Sequence, residues 1–321
     1  AAFPGDPIDR QPVHTVYGGA NLFKAGVNAK LGQLALRALG EHGPDFATFA
    51  RALGLAGADT LPTDPAAIAA LNIEITAAPT RFQHAYEPAW RAWTVYQRVR
   101  EKLAREPIEE QRIDFEDGYG NRPDDEEDRH ALAAAEQVAV GMAEGSLPPF
   151  LGFRIKPFTE ESRVRAVRTL DLFLSALAAK TGGKVPPRFC VTLPKVTIPE
   201  QVEALASLLD DLEARLGIDK GAVSIDLMIE VTQAIWTEKG ETNVPLLVRA
   251  GRGRVRSAAF GTYDYTATCN ITAAYQSHTH PAPDFARHVL QVTLAASGVT
   301  ISDGATTQMP IGPHRATPDK P

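Results

Sequence analysis

Seven short runs of apolar and β-branched residues recur along this 321-residue chain, and most lead into a segment with apolar residues at helical spacing. The runs fall at residues 13–20, 112–117, 150–156, 189–195, 223–230, 255–261 and 299–301. Strands that alternate with helices this regularly pair in parallel through right-handed crossovers. The first run ends in Tyr17-Gly18-Gly19-Ala20-Asn21, which lacks the G-x-G-x-x-G turn of a dinucleotide-binding open sheet. The pattern therefore favours an α/β fold of the TIM-type (β/α)8 barrel class. No eighth strand follows Ile301, so the chain either stops short of a complete barrel or closes it by other means.

The alternation is interrupted once. Residues 44–107 contain no convincing strand and read as a helical insertion within one barrel domain spanning 1–321. One helix is expected over 64–71, and a longer one runs from Phe82 through Tyr86, Trp90, Trp93 and Tyr96 to Leu103. The aromatics of the longer helix fall three or four apart, and packing against the main body is the expected use of that stripe. Residues 1–12 read as an extended arm, and 305–321 as an irregular tail.

The strands end in charge. In Arg112-Ile113-Asp114-Phe115-Glu116-Asp117, the two-residue period puts Ile113 and Phe115 on one side and Arg112, Asp114 and Glu116 on the other. For one such strand, a solvated edge is the simpler account. Four further strand-like runs also end in charge: Phe150 to Lys156, with Arg154 on the same side as Lys156, Phe189 to Lys195, Ile225 to Glu230, and Ala258 to Asp264. In a barrel, a charged residue near a strand's C-terminal end faces the mouth, where barrel enzymes keep their sites. The acidic run at 124–128 differs: it precedes a helix expected from about Arg129, where acids complement the helix dipole.

Composition narrows the class. A formal charge of −6 with scattered basic residues argues against nucleic acid or an anionic membrane as partner. No run approaches the roughly 20 apolar residues of a membrane span, and the N-terminus lacks a signal-peptide layout, so the cytoplasm is the expected location. Cys190 and Cys269 provide neither a disulfide framework nor a metal spacing. His14 is expected to be packed or exposed, His278 and His280 to be loop residues, and Asp303 to be a turn residue. Lys195, after Pro194 at a strand end, suits a structural or supporting role better than a Schiff base.

In order along the chain, Asp114-Phe115-Glu116-Asp117, Phe153-Arg154-Ile155, Leu193-Pro194-Lys195, Ile229-Glu230-Val231-Thr232, Phe260-Gly261-Thr262-Tyr263-Asp264, Ala286-Arg287-His288-Val289 and Ser302-Asp303-Gly304 resemble the successive motifs of the citrate lyase β-subunit and HpcH/HpaI aldolase family. That family includes malyl-CoA lyase-like enzymes of the phosphoenolpyruvate/pyruvate-domain superfamily. The resemblance covers residues 13–43 and 110–304. It implies a Mg²⁺-dependent carbon-carbon lyase, with Mn²⁺ as a substitute ion, assembled as a homo-oligomer such as a trimer or hexamer. The substrate implied is a small oxo- or hydroxy-carboxylate or its CoA thioester.

By position, the resemblance implies that Glu230 and Asp264 hold the metal, Arg154 grips the substrate, and Glu116 and Asp117 organise the metal's water and the arginine. Lys195 joins Arg154 on the substrate side. Two acids from different strands suit Mg²⁺, which fills its octahedron with water and substrate oxygens, and an arginine fork suits a carboxylate. The sequence departs from the family after Asp264, where Tyr265-Thr266-Ala267-Thr268 replaces a Gly-rich turn, and no basic cluster matches a CoA diphosphate. Two other readings stay open. One is a thioester hydrolase or a phosphoenolpyruvate-type phosphoryl-transfer enzyme, and the other is a non-catalytic ligand-binding barrel.

Overall fold

The structure, a computed structural model, describes residues 4–6 and 8–305, so the expected tail beyond Ala305 lies outside the described residues. The chain begins with β1 (Thr15–Gly19) and α1 (Val27–His42), followed by α2 (Phe46–Ala52), α3 (Pro65–Ala77), α4 (Pro79–Ala85) and α5 (Glu87–Arg105). Alternation then resumes with β2 (Glu110–Asp114), α6 (Asp124–Glu144), β3 (Phe150–Arg154), α7 (Arg163–Thr181), β4 (Cys190–Leu193) and α8 (Pro199–Leu216). After β5 (Ser224–Ile229) come α9 (Thr232–Ile235) and α10 (Val244–Ala250); β6 (Val255–Phe260) leads through α11 (Thr262–Thr268) and α12 (Pro281–Leu294) to β7 (Thr300–Ser302). Helices α7 and α8 stop where Gly182 and Gly217 take left-handed conformations, with φ of 67° and 66°, which a side chain would resist.

The seven strands form one parallel sheet in sequential order. Among the described residues β7 does not pair with β1, so the sheet is a curled half-barrel and not a closed eight-stranded one. The N-terminal arm spans the opening. Gly5 donates its amide to the Ala296 carbonyl at 3.0 Å just before β7, and Val13 donates to Glu109 at 2.6 Å on the β1 side.

The two faces of the sheet differ as the two-residue period predicts. On the convex face Ile113, Phe115, Leu151 and Phe153 are fully buried beneath the helices. Phe153 stacks on Phe173 of α7 at 4.2 Å between ring centres. The concave face is polar. Arg112 on β2 comes within 3.8 Å of Asp226 on β5, although strands three intervals apart in a flat sheet lie roughly 14 Å from each other. Only a curl that turns both side chains inward permits this approach. Asp226 also accepts from Thr192 on β4 at 2.8 Å and Ser257 on β6 at 2.6 Å. Gly152 makes room for this packing: a Cβ there would lie 2.6 Å from the Cys190 sulfur and 3.1 Å from the Arg112 guanidinium.

Several expectations are corrected. The long helix expected over 82–103 breaks at Tyr86 into α4 and α5, because Pro88 cannot donate into a continuing ladder. The aromatic stripe does not pack against the sheet. Tyr96, with Trp90 and Trp93 beside it, joins Phe46, Ile68, Ile75 and Phe82 in a second core belonging to α2–α5, against which Leu39 of α1 rests. The acidic run at 124–128 lies inside α6, and not all of it is solvated. Glu127 is fully buried, accepting from Thr169 at 2.6 Å and meeting the Lys156 ammonium at 2.9 Å. Among the described residues no helix is long and apolar enough to cross a membrane.

Candidate active site

The loops leaving β2 to β6 meet at one end of the half-barrel, and the charged strand ends meet there with them. Arg154 ends β3 in register with Asp114, the last residue of β2. Its guanidinium forms a two-pronged pair with Asp114, Nε to Oδ1 at 2.7 Å and Nη2 to Oδ2 at 2.5 Å. Asp114 is fully buried and also accepts from the amides of Glu116 at 3.0 Å and Gly118 at 2.8 Å. The remaining Arg154 nitrogen lies 3.0 Å from Glu116 and 3.7 Å from Asp117, and the guanidinium sits over the Tyr17 ring at 5.1 Å. Asp114 is therefore the main holder of the arginine, a role expected of Glu116 and Asp117. Its signal was in the sequence, since the two-residue period places it beside Arg112 and Glu116.

Lys195 occupies the centre. Its ammonium lies 2.6 Å from Glu116, 3.1 Å from Asp117, 3.3 Å from Asp264 and 3.9 Å from Glu230. Its backbone is held in the left-handed region at φ 50°, a conformation a β-carbon disfavours, and its amide donates to Glu230 Oε1 at 2.8 Å. Glu230, directly after β5, is 2% exposed. Gly261 makes its seat: a Cβ there would lie 2.5 Å from the Glu230 Cβ and 2.6 Å from Oε2. Asp264 is not at a strand end as expected but in the first turn of α11, four residues beyond the end of β6, and its side chain is partly exposed. The Lys156 ammonium pairs with Glu127 at 2.9 Å and donates to the Phe115 carbonyl at 2.8 Å.

Five carboxylates, those of Asp114, Glu116, Asp117, Glu230 and Asp264, thus surround two cations, Arg154 and Lys195. The excess of negative charge shows in the acids. Burial pushes Glu230 up to about 8; Lys195 opposes the shift and Asp264 adds to it. Glu116 is raised, by burial first, while the adjacent Asp117 is lowered, its burial outweighed by Glu116 and Lys195. The two neighbouring acids thus shift in opposite directions, as expected of interacting groups in unequal surroundings. Burial works against charge on Lys195, but Glu230, Glu116 and Asp117 more than reverse it and its pKa rises. A lysine so firmly protonated is not a Schiff-base nucleophile at neutral pH.

The histidines lie elsewhere. His14 is exposed ahead of β1. His280 caps α12 by accepting from the Ala282 amide, and His278 bonds the Ala305 carbonyl while accepting from Arg287 at 3.2 Å. Asp303 pairs with Arg287 at 2.8 Å. Cys190 faces the concave interior and Cys269 ends α11; both are free.

Among the described residues no three His, Cys, Asp or Glu side chains stand ready as a metal site. The chemistry of the donor set nevertheless suits a hard cation: four carboxylates lie within 4 Å of one ammonium, which is a stand-in ion, and Glu230 rests in a cradle that a Cβ would fill.

What the fold and site define is a parallel α/β half-barrel with an acidic, arginine-bearing mouth. The profile of DUF6986, a domain of unknown function, matches residues 1–320, and the chain belongs to this family. No curated protein matches the chain. Similar solved structures include Haloferax volcanii malate synthase in its native form at 3 mM glyoxylate, at 17% identity and a TM-score of 0.45 over 62% of this chain and 54% of that one. The lead(II) complex of the same enzyme gives 18%, 0.48, 62% and 53%, and its magnesium/glyoxylate complex gives 19%, 0.45, 62% and 55%. The chain spans about half the length of these malate synthase chains. At that distance the likeness assigns neither activity nor ligand to this chain.

Proposed function

We propose that this protein is a Mg²⁺-dependent carbon-carbon lyase of aldolase type, chemically akin to the citrate lyase β-subunit family, acting on a small oxo- or hydroxy-carboxylate or its CoA thioester. The observation that carries the reading is the convergence of Glu116, Asp117, Glu230 and Asp264 around one cationic position beside an arginine already oriented by Asp114. Glu230 and Asp264 would hold the ion, and Glu116 and Asp117 would bond its water. When bound, Mg²⁺ supplies Lewis acidity at a carbonyl oxygen and stabilises the enolate charge left by cleavage.

The chain's own residues do the rest. Arg154 would offer Nη1, which Asp114 leaves free but Glu116 shares at 3.0 Å, to a substrate carboxylate, and Asp114 fixes the guanidinium plane so that little orientational freedom is lost on binding. The fully buried Asp114 and the half-buried Tyr17 ring cover one side of the guanidinium. Glu230→Gln should abolish metal-dependent cleavage of oxo- and hydroxy-carboxylates or their thioesters, monitored by product analysis, while the variant keeps its fold. Unchanged turnover would reject the metal assignment. Release of free thiol together with an acid whose carbon skeleton is intact, in place of two carbon fragments, would transfer support to the thioesterase reading.

A further inference from the structure

We propose that Lys195 is a built-in competitor of the divalent ion: in the metal-free protein its ammonium stands where the ion goes, and metal entry displaces it. The inference rests on the metal reading above and concerns how the site is loaded. Lys195 is the one cation among the described residues that reaches Glu116, Asp117, Glu230 and Asp264 together, with contacts of 2.6 to 3.9 Å. An ammonium and a hard divalent ion prefer the same oxygen donors, and both cannot stand between them.

Two further observations fit a displaceable group better than a fixed structural bridge. The Lys195 side chain is about a quarter exposed, at 27%, and two of its partners, Asp117 and Asp264, are 57% and 40% exposed, so the ammonium has an outward path. Its backbone, by contrast, is pinned by the amide bond to Glu230 at φ 50°. The flexible four-carbon stem can therefore swing while its anchor stays beside the ligand set.

The test uses Mn²⁺ as probe, with free ion measured by electron paramagnetic resonance during titration of the whole chain. Lys195→Met removes the competing charge at nearly constant length, and Mn²⁺ should bind about tenfold or more tighter than in the wild type, as expected for losing a unit charge a few ångströms away. Wild-type protein gives a second readout that needs no variant. Saturating Mn²⁺ should speed acetylation of Lys195 by an amine reagent, mapped by mass spectrometry, because the ammonium leaves its carboxylates. Equal or weaker Mn²⁺ binding by the variant, or labelling unchanged or slowed by the ion, overturns the displacement while leaving the metal site standing. Absence of binding in both proteins overturns the metal reading as well.

Discussion

Two clusters of buried acids and bases lie within the α/β part, and they are built on opposite principles. At the foot of β6, Arg254 grips Glu213 with two nitrogens at 2.9 and 2.6 Å, bonds the Val223 carbonyl at 2.9 Å and reaches Asp210 at 2.5 Å. Glu213 accepts in addition from the amides of Gly221 and Val223. Its burial pushes the pKa up, but Arg254 and the two amides outweigh that and the result is lowered. At the mouth, Glu230 is as little exposed but lies deeper in the fold, and it goes the other way, to about 8, with burial the first cause. Burial of an acid alone does not distinguish a structural group from a functional one; the supply of positive charge and hydrogen-bond donors does. The Arg254 cluster is complete as it stands, whereas the mouth is short of cations.

The comparison breaks most visibly at Arg254. Arg254→Ala should cost about 3–5 kcal/mol, because it strands Glu213 without its counter-charge, and urea denaturation should register the loss. A loss within the scatter of ordinary surface substitutions would mean that the two amides alone satisfy Glu213. Gly261→Ala should cost less, about 1–3 kcal/mol, since a methyl 2.5 Å from Glu230 must push that side chain aside. Its diagnostic effect is loss of any rise in melting temperature on adding Mg²⁺, provided the wild type shows one.

The smallest effect carries the sharpest sign. In metal-free protein the folded-state pKa of Glu230 lies above its ordinary value of 4.5, so the stability it contributes is complete below about 4.5 and drains away as pH rises through about 8. Glu213 is lowered, so its contribution is present above 4.5 and disappears as pH falls through its folded value. Glu230→Gln should therefore flatten the stability profile between pH 5 and 8, gaining about 1 kcal/mol at the alkaline end, and leave acid unfolding unchanged. A Gln variant that still loses stability over that interval would place the responsible group elsewhere in the mouth.

Much of this arrangement was legible in the residues. The two-residue period of Arg112 to Glu116 and of Leu151 to Ile155 separated convex from concave faces, because alternation along a strand is set by local geometry. Gly182 and Gly217 end α7 and α8 for a similarly local reason, since the left-handed turn there favours glycine. The aromatic stripe misled because periodicity reports that a face is buried without saying against what, and here α2–α5 supply their own core. Asp114 looked like a costly strand acid until Arg154 was seen opposite it, and Asp264 looked like a strand end because α11 is too short to show a period.

By itself the sequence determined the strand and helix alternation and which side chains share a face, since both follow from backbone geometry over a few residues. Tertiary structure alone decided that the sheet curls without closing among the described residues, that Lys195 sits among acids from three other segments, and that Glu230 lacks the charge that Glu213 enjoys. Those outcomes depend on distances between residues far apart in the chain, 35 positions for Lys195 and Glu230 and 114 for Arg112 and Asp226, which are fixed by packing and register and are invisible to any local pattern.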